Sequence, residues 1–226
     1  MKERSRAKTG SSRRWLDRQH SDPYVQQAKE AGYRSRAAYK LLEIQAKDKI
    51  LASGMTVVDL GAAPGGWSQV AAKLVGRSGK ILAMDILPMD PINGVDIVQG
   101  DFQEAAVLEE LIMGLKGKGV DWVLSDMAPN MSGISAADQA RALELADEAL
   151  AFAEGVLVKG GGLLIKIFQG SGSQEYLAGL KKRFAQVLVR KPKASRKESR
   201  EVYLLAKGYT PCCTVQNRER NEGHLL

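Results

Sequence analysis

The sequence predicts an α/β fold: a mostly parallel, seven-stranded sheet with helices on both faces and one antiparallel strand in the edge region. Three observations carry this expectation. Short β-branched runs alternate with helical stretches from Thr56 onward. Their spacing is that of strand–helix–strand units, which pair strands in parallel. The chain has 226 residues, 44% of them hydrophobic, which suits one domain with a full core.

The elements follow in order. Ser35–Ile44 places Ala38, Leu41, Leu42 and Ile44 on a helical face. Strands are expected at Thr56–Leu60, Lys80–Met84, Asp96–Gln99, Trp122–Ser125, Leu163–Phe168, Val187–Arg190 and Val202–Ala206. Helices are expected near Ser68–Val75, Glu104–Met113, Ala136–Val158 and Ser173–Phe184. The final two strands are joined by Lys191–Arg200, which has no apolar helical period. That connection reads as a hairpin-like return, so an antiparallel strand is expected at the sheet edge. The domain is drawn over residues 35–208, with a basic arm at 1–34 and a tail at 209–226.

Composition removes several classes of function. No apolar run approaches the roughly 18 residues that cross a bilayer, so no membrane partner is expected. The two cysteines are adjacent, Cys212 and Cys213, and the two histidines are His20 and His224. A disulfide framework, a Cys/His zinc site and a histidine-based triad are therefore not expected, and no metal is assigned. Such cysteine usage agrees with a reducing cytoplasm, and a monomer is the default state. The chemistry is left to carboxylates, lysines, hydroxyls and backbone.

Charge is unevenly placed. Residues 1–40 hold 11 Lys/Arg against 4 Asp/Glu, residues 41–180 hold 10 against 18, and residues 181–200 hold 9 against 1. Two basic zones on an acidic body suggest a polyanion footprint, although a solvated tail and helix face would share that composition. In an open α/β sheet, ligands bind beyond the carboxyl ends of the strands. Gly61, Gly65 and Gly66 follow the first strand, in a spacing unlike the dinucleotide fingerprint, and Pro64 removes one N–H. Asp85 follows the second strand, placed for ribose hydroxyls. Asp101 and Phe102 follow the third, placed for an adenine amino group beside an aromatic face. Carboxylates capping helices would explain one such strand end, and all three less well. An acidic mouth with a proline in its turn suits a cationic, phosphate-free nucleoside cofactor, S-adenosyl-L-methionine, better than a nicotinamide dinucleotide.

The stretch VVDLGAAPGGWSQ, followed by SDMAPNMSG, KIFQG and SREVYLLA, closely resembles the FtsJ/RrmJ family of ribose 2′-O-methyltransferases. The likeness runs from the arm through Gly208. It implies a Rossmann-like class I methyltransferase fold and 2′-O-methylation of a uridine in large-subunit ribosomal RNA, with the assembled large subunit as partner. It also implies a catalytic tetrad at Lys40, Asp126, Lys166 and Glu201, and cofactor contacts at Gly65, Trp67, Asp85, Asp101 and Asp126. Arg13, Arg14, Arg34, Arg36 and the stretch Lys191–Arg200 are expected to hold flanking phosphates. Taken singly, Lys40 and Glu201 would read as solvated surface residues and Trp67 as a packing aromatic. Lys166, flanked by Ile165, Ile167 and Phe168, resists that reading. Whether Lys166 is a base or a charged group that orients the hydroxyl stays open at this level. So do methylation of transfer RNA or messenger-RNA cap, a non-catalytic RNA-binding assembly role, and a dehydrogenase.

Overall fold

A computed structural model describes residues 22–211 apart from 131, 134 and 197. Arg13, Arg14 and most of the expected tail lie outside the described residues. The first element is helix α1 (Pro23–Glu30), absent from the expectation above. Its start was nonetheless written in the chain: Asp22 caps the Tyr24 N–H with its carboxylate, and Pro23 occupies the first helical position. Tyr24 and Tyr33 pack their rings against Tyr39, at 5.6 and 6.0 Å, which docks this part of the arm on α2 (Ala37–Asp48).

The remaining elements alternate as expected. They are β1 (Thr56–Leu60), α3 (Gly66–Val75), β2 (Lys80–Asp85), β3 (Val95–Gln99), α4 (Ala105–Leu115), β4 (Val120–Ser125), α5 (Ser135–Val156), β5 (Leu157–Phe168), α6 (Ser173–Lys181), β6 (Phe184–Arg190) and β7 (Glu201–Tyr209). Strand order is β3-β2-β1-β4-β5-β7-β6, parallel from β3 to β5. β7 runs antiparallel to both its neighbours. The antiparallel strand expected at the edge is thus one place inward. The last strand inserts between β5 and β6, so β6 takes the edge.

Each interior strand is buried on both sides, as a parallel sheet demands. On one face α2 and α3 cover Val57, Ile81, Leu124, Leu164 and Tyr203. On the other, α4, α5 and α6 cover Val58, Leu82, Val123, Leu163 and Ile165. β5 begins at Leu157, earlier than expected, and runs through Gly160–Gly161–Gly162. Gly162 has a packing reason: a Cβ there would stand 2.4 Å from the Trp122 ring. β7 continues through Tyr209, whose ring packs 5.4 Å from Phe184 and whose hydroxyl donates to the Glu154 carbonyl. The family-derived edge at residue 208 therefore falls within a strand.

Candidate active site

Two clusters meet at the carboxyl ends of β1, β4 and β5. The first is built by register. Lys166 on β5 pairs with Tyr203 on β7, and Phe168 pairs with Glu201, so Lys166, Tyr203 and Glu201 emerge side by side. Asp126 follows β4 directly, its N–H donating to the Leu60 carbonyl at 3.2 Å. α2 lays Lys40 across the same spot.

The distances are short. Lys166 Nζ lies 3.0 Å from Asp126 Oδ1 and also donates to the Asp126 carbonyl oxygen. Lys40 Nζ lies 2.9 Å from Glu201 Oε1 and 4.0 Å from Asp126 Oδ2. Tyr203 joins the two halves: its hydroxyl accepts from Lys40 Nζ at 2.8 Å and donates to Asp126 Oδ1 at 2.8 Å. Sequence reasoning assigned Tyr203 no role. The signal was present, since residues two apart on a strand share a face, and Glu201 was already assigned.

Electrostatics hold the carboxylates charged. Burial pushes the Asp126 carboxyl up, but the Lys166 and Lys40 charges and the Tyr203 hydrogen bond together hold it below the usual carboxylate range. Glu201 follows the same balance, with burial outweighed chiefly by Lys40. Tyr203 is driven the other way, by burial and then by the Asp126 and Glu201 charges, so it stays a neutral phenol able to donate. Two lysines interleaved with two carboxylates and one phenol pair directly with one another.

The second cluster is a cleft of about 710 Å³ that opens beside the first and shares Asp126. Asp85, Asp101, Phe102 and Gly61 line it, as the strand-end reasoning expected. Gly61 is required twice over. Its φ is +72°, and a Cβ would stand 2.6 Å from the Met127 side chain and 2.9 Å from its backbone. Asp85 accepts from the Ala63 and Leu87 N–H groups, each at 2.8 Å, which fixes both the glycine turn and the next loop. Asp101 accepts from the Gln103 N–H at 3.0 Å. Met127 lines the cleft as well, and so does Arg141 from α5.

Gly65 and Trp67 sit differently. Gly65 begins α3 at φ +107°, and the Trp67 ring is core, packed 5.6 Å from Tyr203 with Nε1 donating to the Ala37 carbonyl. Neither residue is among those that line the cleft, so any ligand contact from this segment falls to the backbone N–H groups of the first turn of α3.

Two arginines expected to hold phosphates are spent internally. Arg34 donates to the carbonyls of Pro64 (3.3 Å), Asp90 (2.6 Å) and Pro91 (2.8 Å), clamping the glycine turn to the β2–β3 loop. Arg36 is paired with the Asp22 carboxylate and the Ala194 carbonyl. In the stretch Lys191–Arg200, Lys191 Nζ donates to the carbonyls of Ser199 and Glu201, while the side chains of Lys193, Arg196 and Arg200 are exposed.

The fit to a sulfonium nucleoside is chemical. Two carboxylates at strand ends suit ribose hydroxyls and an amino group, Phe102 supplies an apolar wall, and a third carboxylate, Asp126, faces the side where a cationic sulfur would lie.

Known proteins resemble this chain along most of its length. A sequence model of the FtsJ-like methyltransferases matches residues 33–209. A protein of Alkalilimnicola ehrlichii named ribosomal RNA large subunit methyltransferase E is 58% identical, over 90% of this chain and 98% of its own. A protein of the same name from Chromobacterium violaceum is 55% identical, over 89% and 98%. Among solved structures, a ribosomal RNA methyltransferase from Plasmodium falciparum superposes with a TM-score of 0.70 at 33% identity, covering 78% of this chain and 98% of that one.

Proposed function

The chain belongs to the FtsJ-like methyltransferase family, and from that premise we propose that it methylates a uridine ribose 2′-hydroxyl in large-subunit ribosomal RNA, with the assembled large subunit as substrate. The names of the relatives support the RNA class. The observation that carries the chemistry is the contact of Lys166 with Asp126 at 3.0 Å, at the junction of the tetrad and the cleft.

S-adenosyl-L-methionine supplies, when bound, a methyl group made electrophilic by its sulfonium. Asp85 and Asp101 would hold its ribose and adenine, and the first-turn N–H groups after Gly65, including that of Trp67, would hold its carboxylate. Asp126 borders both clusters and contributes a fixed negative charge. Lys166 gives two donors to Asp126 and turns what remains of its ammonium toward the hydroxyl, aligning a lone pair and stabilising oxygen charge while the hydroxyl proton passes to solvent water. Lys40, held by Glu201 and Tyr203, completes a cationic rim around the same oxygen. Cytoplasmic residence follows from such a substrate.

The test is Lys166→Ala assayed on undermethylated large subunits with a labelled methyl donor. Transfer should fall at least about a hundredfold, while calorimetric cofactor affinity stays within about threefold. Undiminished turnover would reject the assignment.

A further inference from the structure

The connection from β6 to β7, Lys191–Arg200, has no helix or strand among its described residues, yet its backbone is held at several points. Glu43 on α2 accepts from two successive N–H groups, that of Lys193 to Oε2 at 2.7 Å and that of Ala194 to Oε1 at 2.9 Å. Arg36, at the start of the same helix, donates to the Ala194 carbonyl. Pro192, Ala194 and Ser195 are buried, while Lys193 and Arg196 are left exposed. The same side of α2 also serves the tetrad. Glu43 lies three residues after Lys40, so the two side chains leave the helix together. The connection then runs directly into Glu201, which Lys40 meets at 2.9 Å. A carboxylate beside exposed cations weakens docking on a polyanion unless its charge is engaged elsewhere. Both Glu43 oxygens are engaged by the backbone of the segment that carries those cations.

We propose that Glu43 is a positioning residue for the RNA: by holding the Lys193 and Ala194 amides it fixes the β6–β7 connection so that Lys193 and Arg196 meet phosphates flanking the target ribose. The inference rests on the reaction proposed above. Glu43 touches neither RNA nor cofactor and acts through the two cations. Without it, the segment loses two charge-assisted hydrogen bonds, and the cations must be ordered anew each time RNA binds. The tetrad does not depend on this clamp. Lys166 and Tyr203 are set by the β5–β7 register, and Lys40 by its contacts with Glu201 and Tyr203. The effect of Glu43 therefore falls on substrate capture and not on the transfer step.

The test uses the full-length enzyme, undermethylated large ribosomal subunits and a labelled methyl donor. Glu43→Ala should raise KM for the subunit about tenfold while kcat stays within about threefold, with calorimetric cofactor affinity unchanged. Glu43→Gln keeps the size and one acceptor oxygen, guards against a folding defect, and should raise KM about threefold. Lys193→Ala combined with Arg196→Ala should also raise KM about tenfold. Adding Glu43→Ala to that pair should change KM by less than about twofold, because the residue acts through them. A surface carboxylate without this role would do the reverse, its removal lowering KM by relieving repulsion. A lowered or unchanged KM in either Glu43 variant, no effect of the Lys193 and Arg196 pair, or effects that multiply in the triple variant would overturn the positioning role while leaving the reaction intact. So would a fall in kcat and cofactor affinity alongside the rise in KM. No transfer by the wild-type enzyme would overturn the reaction itself.

Discussion

Among single residues, Tyr203 and Asp59 define the polar interior. Tyr203 is fully buried and divides its hydroxyl between Lys40 and Asp126. Tyr203→Phe leaves Lys40 without one acceptor and Asp126 without one donor inside a largely buried cluster, a loss of about 1–3 kcal/mol. Its kcat should drop about tenfold or more with cofactor affinity retained, as single-turnover methylation and calorimetry would read. Asp59 lies beneath the glycine turn, fully buried, and accepts from Ser68 Oγ at 2.6 Å. Burial, aided by the Asp126 and Asp85 charges and opposed by the Ser68 hydrogen bond, raises its pKa to about 7. The folded state therefore holds this proton more tightly than the unfolded chain, whose aspartates titrate near ~3.9. The stability this lends is complete below ~4 and is lost as pH rises through about 7. From pH 6 to 8 the loss is about 1 kcal/mol, or a few degrees in Tm. Differential scanning calorimetry should show the wild-type Tm falling over that window relative to Asp59→Asn.

At the scale of elements, long-range clamps decide the geometry. Arg190 on β6 grips Asp48 at the end of α2 through two hydrogen bonds of 2.6 and 2.7 Å. Arg190→Ala should cost about 1–3 kcal/mol in urea denaturation, the range for charge-assisted pairs. Arg34 ties α1–α2 to both the glycine turn and the β2–β3 loop. Arg34→Ala should weaken cofactor binding about tenfold by isothermal calorimetry while changing Tm by only a few degrees. These clamps mark where reading the chain stops. Runs such as Thr56–Leu60 announce themselves through β-branched residues, and Asp85 and Asp101 follow from strand-end position. The early part of β5 hides because three successive glycines mimic a turn. Arg34 and Arg36 looked like phosphate contacts because their acceptors lie up to 57 and 158 residues away. No local pattern encodes such partners.

Across the whole molecule, charge is partitioned between catalysis and docking. Arg34 and Arg36 serve the fold, so of the cations first assigned to phosphates those that remain are Lys193, Arg196 and Arg200 at the β6–β7 connection and, from sequence, Arg13 and Arg14. Replacing Arg13 and Arg14 by alanine should weaken RNA binding and reduce the slope of log K against log salt by about 1.5. Filter binding between 50 and 200 mM salt, about the range where such slopes are steep, would measure it. The tetrad and cleft positions were legible because their motifs are long and sequential. The insertion of β7 between β5 and β6 has a consequence for biogenesis. Glu201 and Tyr203 are among the last described residues to leave a translating ribosome, and until they do β5 presents a bare backbone rim. On the proposed assignment, a chain that stops before β7 lacks Glu201 and Tyr203 and should transfer no methyl group, so completing this strand would set the onset of activity.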